Sequence, residues 1–165
     1  MATITGAGIN AFLEHRKAKQ FSKVEALTIA VTLEGYAIRC ADKIADHNTA
    51  ISSAGHAGSL LASLPDLPQF SVVAGFLRPG KESIANRIMT FPQEVRQADQ
   101  SVSFWWDVVG DDDAMRQAAV YRVAQMGLQS LNLAFDIRKE FNLPIRDLIF
   151  GEYDVRQMLE KSSQK

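Results

Sequence analysis

A chain of 165 residues is long enough to bury a proper core within one domain, and 47% hydrophobic with 22% charged residues is ordinary for a globular protein. Lys plus Arg (18) nearly balance Asp plus Glu (19), giving a formal net charge of -1. That excludes a global pull toward nucleic acid or anionic membrane, so any basic surface is local. The single cysteine, Cys40, excludes an intrachain disulfide and a cysteine-rich metal site.

Residues 1 to 7 are small, and no basic segment leads into an apolar run, so no signal peptide is expected. No window approaches ~18 uninterrupted apolar residues, so no membrane span is expected either. A cytoplasmic protein is the expectation, of cellular or viral origin alike.

The spacing of Ile9, Phe12 and Leu13 predicts a first helix from about Ile9 to Gln20. Its end carries the densest basic cluster, His15, Arg16, Lys17 and Lys19. Arg16, Lys17 and Lys19 are candidate contacts for phosphate or an acidic partner. They equally suit the negative pole of a helix macrodipole.

Ser22, with Glu25 three residues on, has capping-box spacing and predicts a second helix to about His47. Two apolar lines run along it. One is Leu27, Val31, Ile38, Ala41 and Ala45; the other is Ala30, Leu33, Ala37, Cys40 and Ile44. Cys40 reads as a small core residue, because no local base activates it.

Glu34 lies on the first line, where a bundle core is expected. Asp42 and Asp46 follow one turn apart, with His47 next. Bundles that hold metal ions place acidic residues on facing helices in this way, so Glu34, Asp42 and Asp46 form a candidate acidic site. Against it, neither a Glu-x-x-His nor a carboxylate pair three residues apart occurs. The plainer reading is a partly exposed Glu34 whose head reaches solvent or Arg39. His15, His47 and His56 also lack the spacing of a helical metal site. The pattern therefore points to no metal, no cofactor and no assignable catalytic residue.

Thr49 to Leu64 reads as a helix of small residues, ended by Pro65-Asp66-Leu67-Pro68. Phe70 to Leu77 suits a strand or a helical turn. Helix is preferred, since no second β-rich run exists to pair with it. Lys81 to Thr90 predicts a short helix with Ile84, Ile88 and Met89 inward. Pro92 suits the first position of another helix. Val95, Ala98, Val102, Trp105 and Val109 then recur at three- and four-residue steps, as in a coiled-coil seam.

Asp111, Asp112 and Asp113 open a long helix over 112–141, closed by Arg138, Lys139 and Asn142-Leu143-Pro144. Three consecutive carboxylates diverge on a helix, so they read as cap and dipole charges rather than as metal ligands. Val120, Ala124, Gly127, Leu131 and Ala134 form its main apolar line, and Tyr121, Leu128 and Phe135 a second. After Pro144, residues 145 to 150 read as a short apolar helix, and Tyr153 to Lys161 as a last one.

The fold class expected is all-α: a single-domain helical bundle over 1–165, built on two long central helices at about 22–47 and 112–141. No catalytic motif is present. The function expected is a non-enzymatic interaction or assembly protein, acting through a protein partner or a homo-oligomer. Phe104, Trp105 and Trp106 spread over roughly 200° of one helix, so one face cannot hide all three, which makes them the candidate interface. The alternatives are an all-α metal-dependent enzyme using Glu34, Asp42 and Asp46, and a nucleic-acid-associated protein using the basic first helix.

Overall fold

The computed structural model describes residues 3–70, 80–109 and 113–164, with the side chains at 3–13, 15–19, 21 and 105–109 outside that description. The protein is all-α. Its elements are α1 (Thr3–Ser52), α2 (Glu82–Val109), α3 (Asp113–Glu140), the hairpin strands β1 (Ile149–Phe150) and β2 (Tyr153–Asp154), and α4 (Val155–Ser162).

α3 is the main partner of α1, and the two run antiparallel. Their pairing is set by Ser130, whose buried hydroxyl donates to the Leu33 carbonyl at 2.7 Å, and by Gly127. A Cβ at Gly127 would lie 3.0 Å from the Cys40 Cβ and 2.8 Å from a Leu159 methyl, so only glycine lets α1, α3 and α4 close up there. The second line foreseen on α1 is its core face: Ala30, Leu33, Ala37, Cys40 and Ile44 are all fully buried. They meet Val123, Ala124, Leu131, Ala134 and Ile137 of α3 in one cluster. Burying each large aliphatic side chain contributes about 1.5–3 kcal/mol.

α2 runs antiparallel to α3 on its other side. Lys81 pairs with Glu140 and Arg87 with Asp136, so the start of α2 meets the end of α3. Val95, Ala98 and Val102 are buried as their spacing predicts. The Tyr36 ring meets Phe91 edge-on at 5.9 Å, tying α1 to α2. Asp154 caps α4, its carboxylate accepting from the Gln157 N–H.

Several expectations are corrected. α1 is one continuous helix through Ser22, which is buried in mid-helix and caps nothing. Local capping spacing is there overridden by packing against the bundle. The first apolar line of α1 is split: Leu27 and Val31 are exposed, whereas Ala41 is fully buried and Ile38 packs against the core. α2 likewise runs unbroken from Glu82, holding Pro92 in its interior. That proline has no N–H to donate to the Ile88 carbonyl one turn back. Met89 is exposed rather than inward. Thr49 to Leu64 is helical only to Ser52; Ala54, Gly55 and Gly58 then take positive φ, which a helix cannot contain. Residues 145 to 150 form no helix: 145–148 are irregular and lead into the two-residue strand β1. Ile149, Phe150 and Tyr153 favour a pleated, half-buried surface, and a two-residue turn at Gly151 and Glu152 joins them. Of the ambiguous run Phe70 to Leu77, all but Phe70 lies outside the described residues.

Candidate functional site

Glu34 is 3% exposed, on the α1 face turned toward the end of α3. Its carboxylate is held by Arg138, also buried, through two parallel bonds: Nε donates to Oε1 at 2.5 Å and Nη2 donates to Oε2 at 3.0 Å. A buried carboxylate demands such a bidentate cation. Arg138 does a second thing. Its Nη1 donates to the Pro144 carbonyl at 2.8 Å, which fastens the chain leaving α3. Arg146, further along that chain, places Nη1 3.7 Å from Glu34 Oε2. The partner read for Glu34 from sequence, Arg39, instead donates to the Asp66 carbonyl at 3.4 Å.

Above this ion pair opens a cleft of about 440 Å³. Its floor is Glu34 and Arg138, and its walls include Phe135 of α3 with Ile145 and Ile149 of the following segment. All three of these apolar side chains are about half exposed, as is neighbouring Phe150. Arg146 and Arg156 stand among them. Arg156 donates from Nη1 and Nη2 to the Asn132 side-chain oxygen, both at 3.2 Å, across the mouth. The result is an apolar rim set with guanidinium groups around a fixed floor.

Asp42 and Asp46 do not join Glu34. They line a different, shallower cleft with Arg39, Lys43 and Tyr153. Asp46 Oδ2 accepts from the Ser59 hydroxyl at 2.5 Å. The Tyr153 hydroxyl is buried there beside Asp42, and burial first, then the Asp42 carboxylate, push its pKa up. Among the described residues no group of three His, Cys, Asp or Glu side chains is placed to hold a metal ion. Cys40 is fully buried, and burial pushes its thiol up to about 12, so it has no nucleophilic character at neutral pH.

Of the predicted interface, Phe104 is 56% exposed on α2. The side chains of Trp105 and Trp106 lie outside the described residues, as do those of Arg16, Lys17 and Lys19. Asp111 and Asp112 lie outside them too, while Asp113 opens α3. His47 is buried, its Nδ1 accepting from the Leu61 N–H at 3.1 Å, and His56 is exposed.

Sequence reasoning missed Arg138 as the partner of Glu34, and the cleft rim at Ile145 and Ile149. One signal was available: Arg138 falls four residues after Ala134 on the apolar line of α3, where a charge needs a buried partner. No helix among the described residues is long and apolar enough to cross a membrane. Comparison with protein-family models, with curated proteins and with solved structures gives no match.

Proposed function

We propose that this protein is an interaction or assembly module that docks a protein partner on the face around the Glu34–Arg138 cleft. The observation that carries this reading is the rim: Phe135, Ile145 and Ile149 leave large apolar surface to water around one cleft, with Arg146 and Arg156 among them. Scattered exposed apolar residues are ordinary, whereas several converging on one cleft mark an interface. Arginine and aromatic side chains are the favoured anchors of such surfaces. A backbone pinned by a buried ion pair presents them in one geometry, which lowers the ordering cost of binding.

Affinity copurification with mass spectrometry tests this. A defined partner retained by wild type and lost from both Phe135→Glu and Ile149→Glu, with helix content unchanged by circular dichroism, is the expected result. A partner profile identical for wild type and both variants would reject this face.

A further inference from the structure

His47 is buried on α1, and its Nδ1 accepts from the Leu61 N–H at 3.1 Å. A backbone N–H can only donate, so this bond exists only while Nδ1 carries no proton. A proton there sets two donors face to face in a dry site and leaves the Leu61 N–H without its acceptor. The loss falls on a segment with few fastenings. Residues 53–64 contain no helix or strand, yet Leu61 and Leu64 are buried. Beside His47 on α1, Lys43 donates to the Ser63 carbonyl and Asp46 accepts from the Ser59 hydroxyl, while Asp99 of α2 accepts from the Leu64 N–H. α3 begins at this end of α1, and there Arg116 pairs with Asp113 and Arg122 donates to Gln125, each along its own helix. The segment itself brings one titratable side chain, the exposed His56.

We propose that His47 is a pH-sensitive latch, which holds residues 53–64 against α1 and α2 while Nδ1 is bare and releases them when it is protonated. An imidazole ordinarily takes its proton near about pH 6.5 and a carboxylate near about pH 4. Between about pH 7.5 and about pH 5.5, His47 is therefore the one acceptor of the segment that changes state, Asp46 and Asp99 staying ionised. The docked form excludes a proton that the released form accepts. Docking is thus complete above the imidazole range and weakens as pH falls through it. At about pH 5.5 the weakening is about tenfold, the ratio of protonated to neutral imidazole in a released segment. Release brings Leu61 and Leu64 into water together with the surface they cover, so acid turns a closed flank of the bundle into an apolar one.

Native-state hydrogen exchange of the full chain at these two pH values, corrected for the intrinsic exchange rate, tests the latch. Wild type is expected to lose about tenfold in protection at the Leu61 amide on going to the lower pH. Leu61 should also exchange faster than Val123 of α3 at both, since the segment opens without the bundle. His47→Asn supplies an amide oxygen as acceptor in place of Nδ1 and does not titrate, so its Leu61 protection should be the same at the two pH values. His56→Gln should behave as wild type. Protection at Leu61 that ignores pH in wild type, that follows pH equally in His47→Asn, or that matches Val123 overturns the proposal. Should His47→Asn leave Leu61 unprotected at both pH values, NMR of the wild-type imidazoles decides. Protonation of His47 at the midpoint of the Leu61 loss supports the latch, and a loss with His47 still neutral overturns it.

Discussion

α1 carries two polar seams, and they are built on opposite principles. At Glu34 one carboxylate meets the buried Arg138 guanidinium, side chain to side chain and out of water, with the half-exposed Arg146 3.7 Å from its Oε2. Further along, Arg39, Lys43, Asp46 and His47 grip the irregular segment that folds back over the helix. Lys43 donates to the Ser63 carbonyl at 3.1 Å, Asp46 takes the Ser59 hydroxyl, and His47 takes the Leu61 N–H. Asp99 of α2 holds the same segment from the other side, accepting from the Leu64 N–H at 2.8 Å. Most of these bonds are at least partly wet, and each is one of several. The first seam concentrates its energy in a single dry contact; the second spreads it. Damage to the first is therefore expected to be large and specific, and damage to the second graded.

The largest effect belongs to the ion pair. Glu34→Gln leaves the buried Arg138 without its counter-charge and should cost about 3–5 kcal/mol in chemical denaturation, and Arg138→Leu somewhat less, since Arg146 still stands 3.7 Å from Glu34. Replacing both residues with apolar ones of similar volume should recover much of that, short of the bond to Pro144. A single variant within about 1 kcal/mol of wild type would place the pair in water rather than in the core.

Next comes the turn that starts the wet seam. Gly58 has a φ of 78°, and a Cβ there would lie 2.3 Å from the Asp46 carbonyl oxygen. Gly58→Ala should cost about 2–3 kcal/mol, because both backbone strain and a clash with main chain resist it. His47→Ala, which strands a buried N–H, should cost about 1–3 kcal/mol. Equal losses for Gly58→Ala and an exposed control such as Gly55→Ala would show that the turn is not packed on α1.

Alkali offers a milder probe. Cys40 has its ordinary value of 9.0 raised to about 12 by burial, and the buried Tyr36 hydroxyl is raised as well. The folded chain then holds protons that the unfolded chain releases, so stability is intact below about pH 9 and falls as pH rises through the window from about 9 to about 12. At pH 10.5 Cys40 alone should remove about 2 kcal/mol, and Cys40→Ala should flatten the slope measured in urea melts. Smallest of all, Arg87→Ala should change stability by about 0.5 kcal/mol or less, since its pair with Asp136 is exposed.

The sequence was legible where a periodic stripe met a strong stop. α3 falls within a residue of its predicted bounds, because aspartates, a basic last turn and Pro144 frame it. Local signals misled where packing outweighs them: Ser22 has capping spacing and Pro92 a helix-start position, yet both lie inside long helices. α1 has 50 residues against 28 in α3, so about 33 Å of it outruns its main partner. No local pattern encodes that length. Glu34 was legible as an anomaly on an apolar line. Its partner stands 104 residues away, and spacing along one helix says nothing of a contact that only the fold creates.

The contrast between the two seams comes down to whether the dry pair fastens the segment that carries the docking rim. Native-state hydrogen exchange decides it, comparing Glu34→Gln with Val123→Ala, a core variant expected to lose similar global stability. Protection at Leu148, Phe150 and Val155 should fall further in Glu34→Gln than in Val123→Ala, while α2 is affected equally in both. Equal protection of the hairpin in the two variants would contradict the role assigned to Glu34 and Arg138.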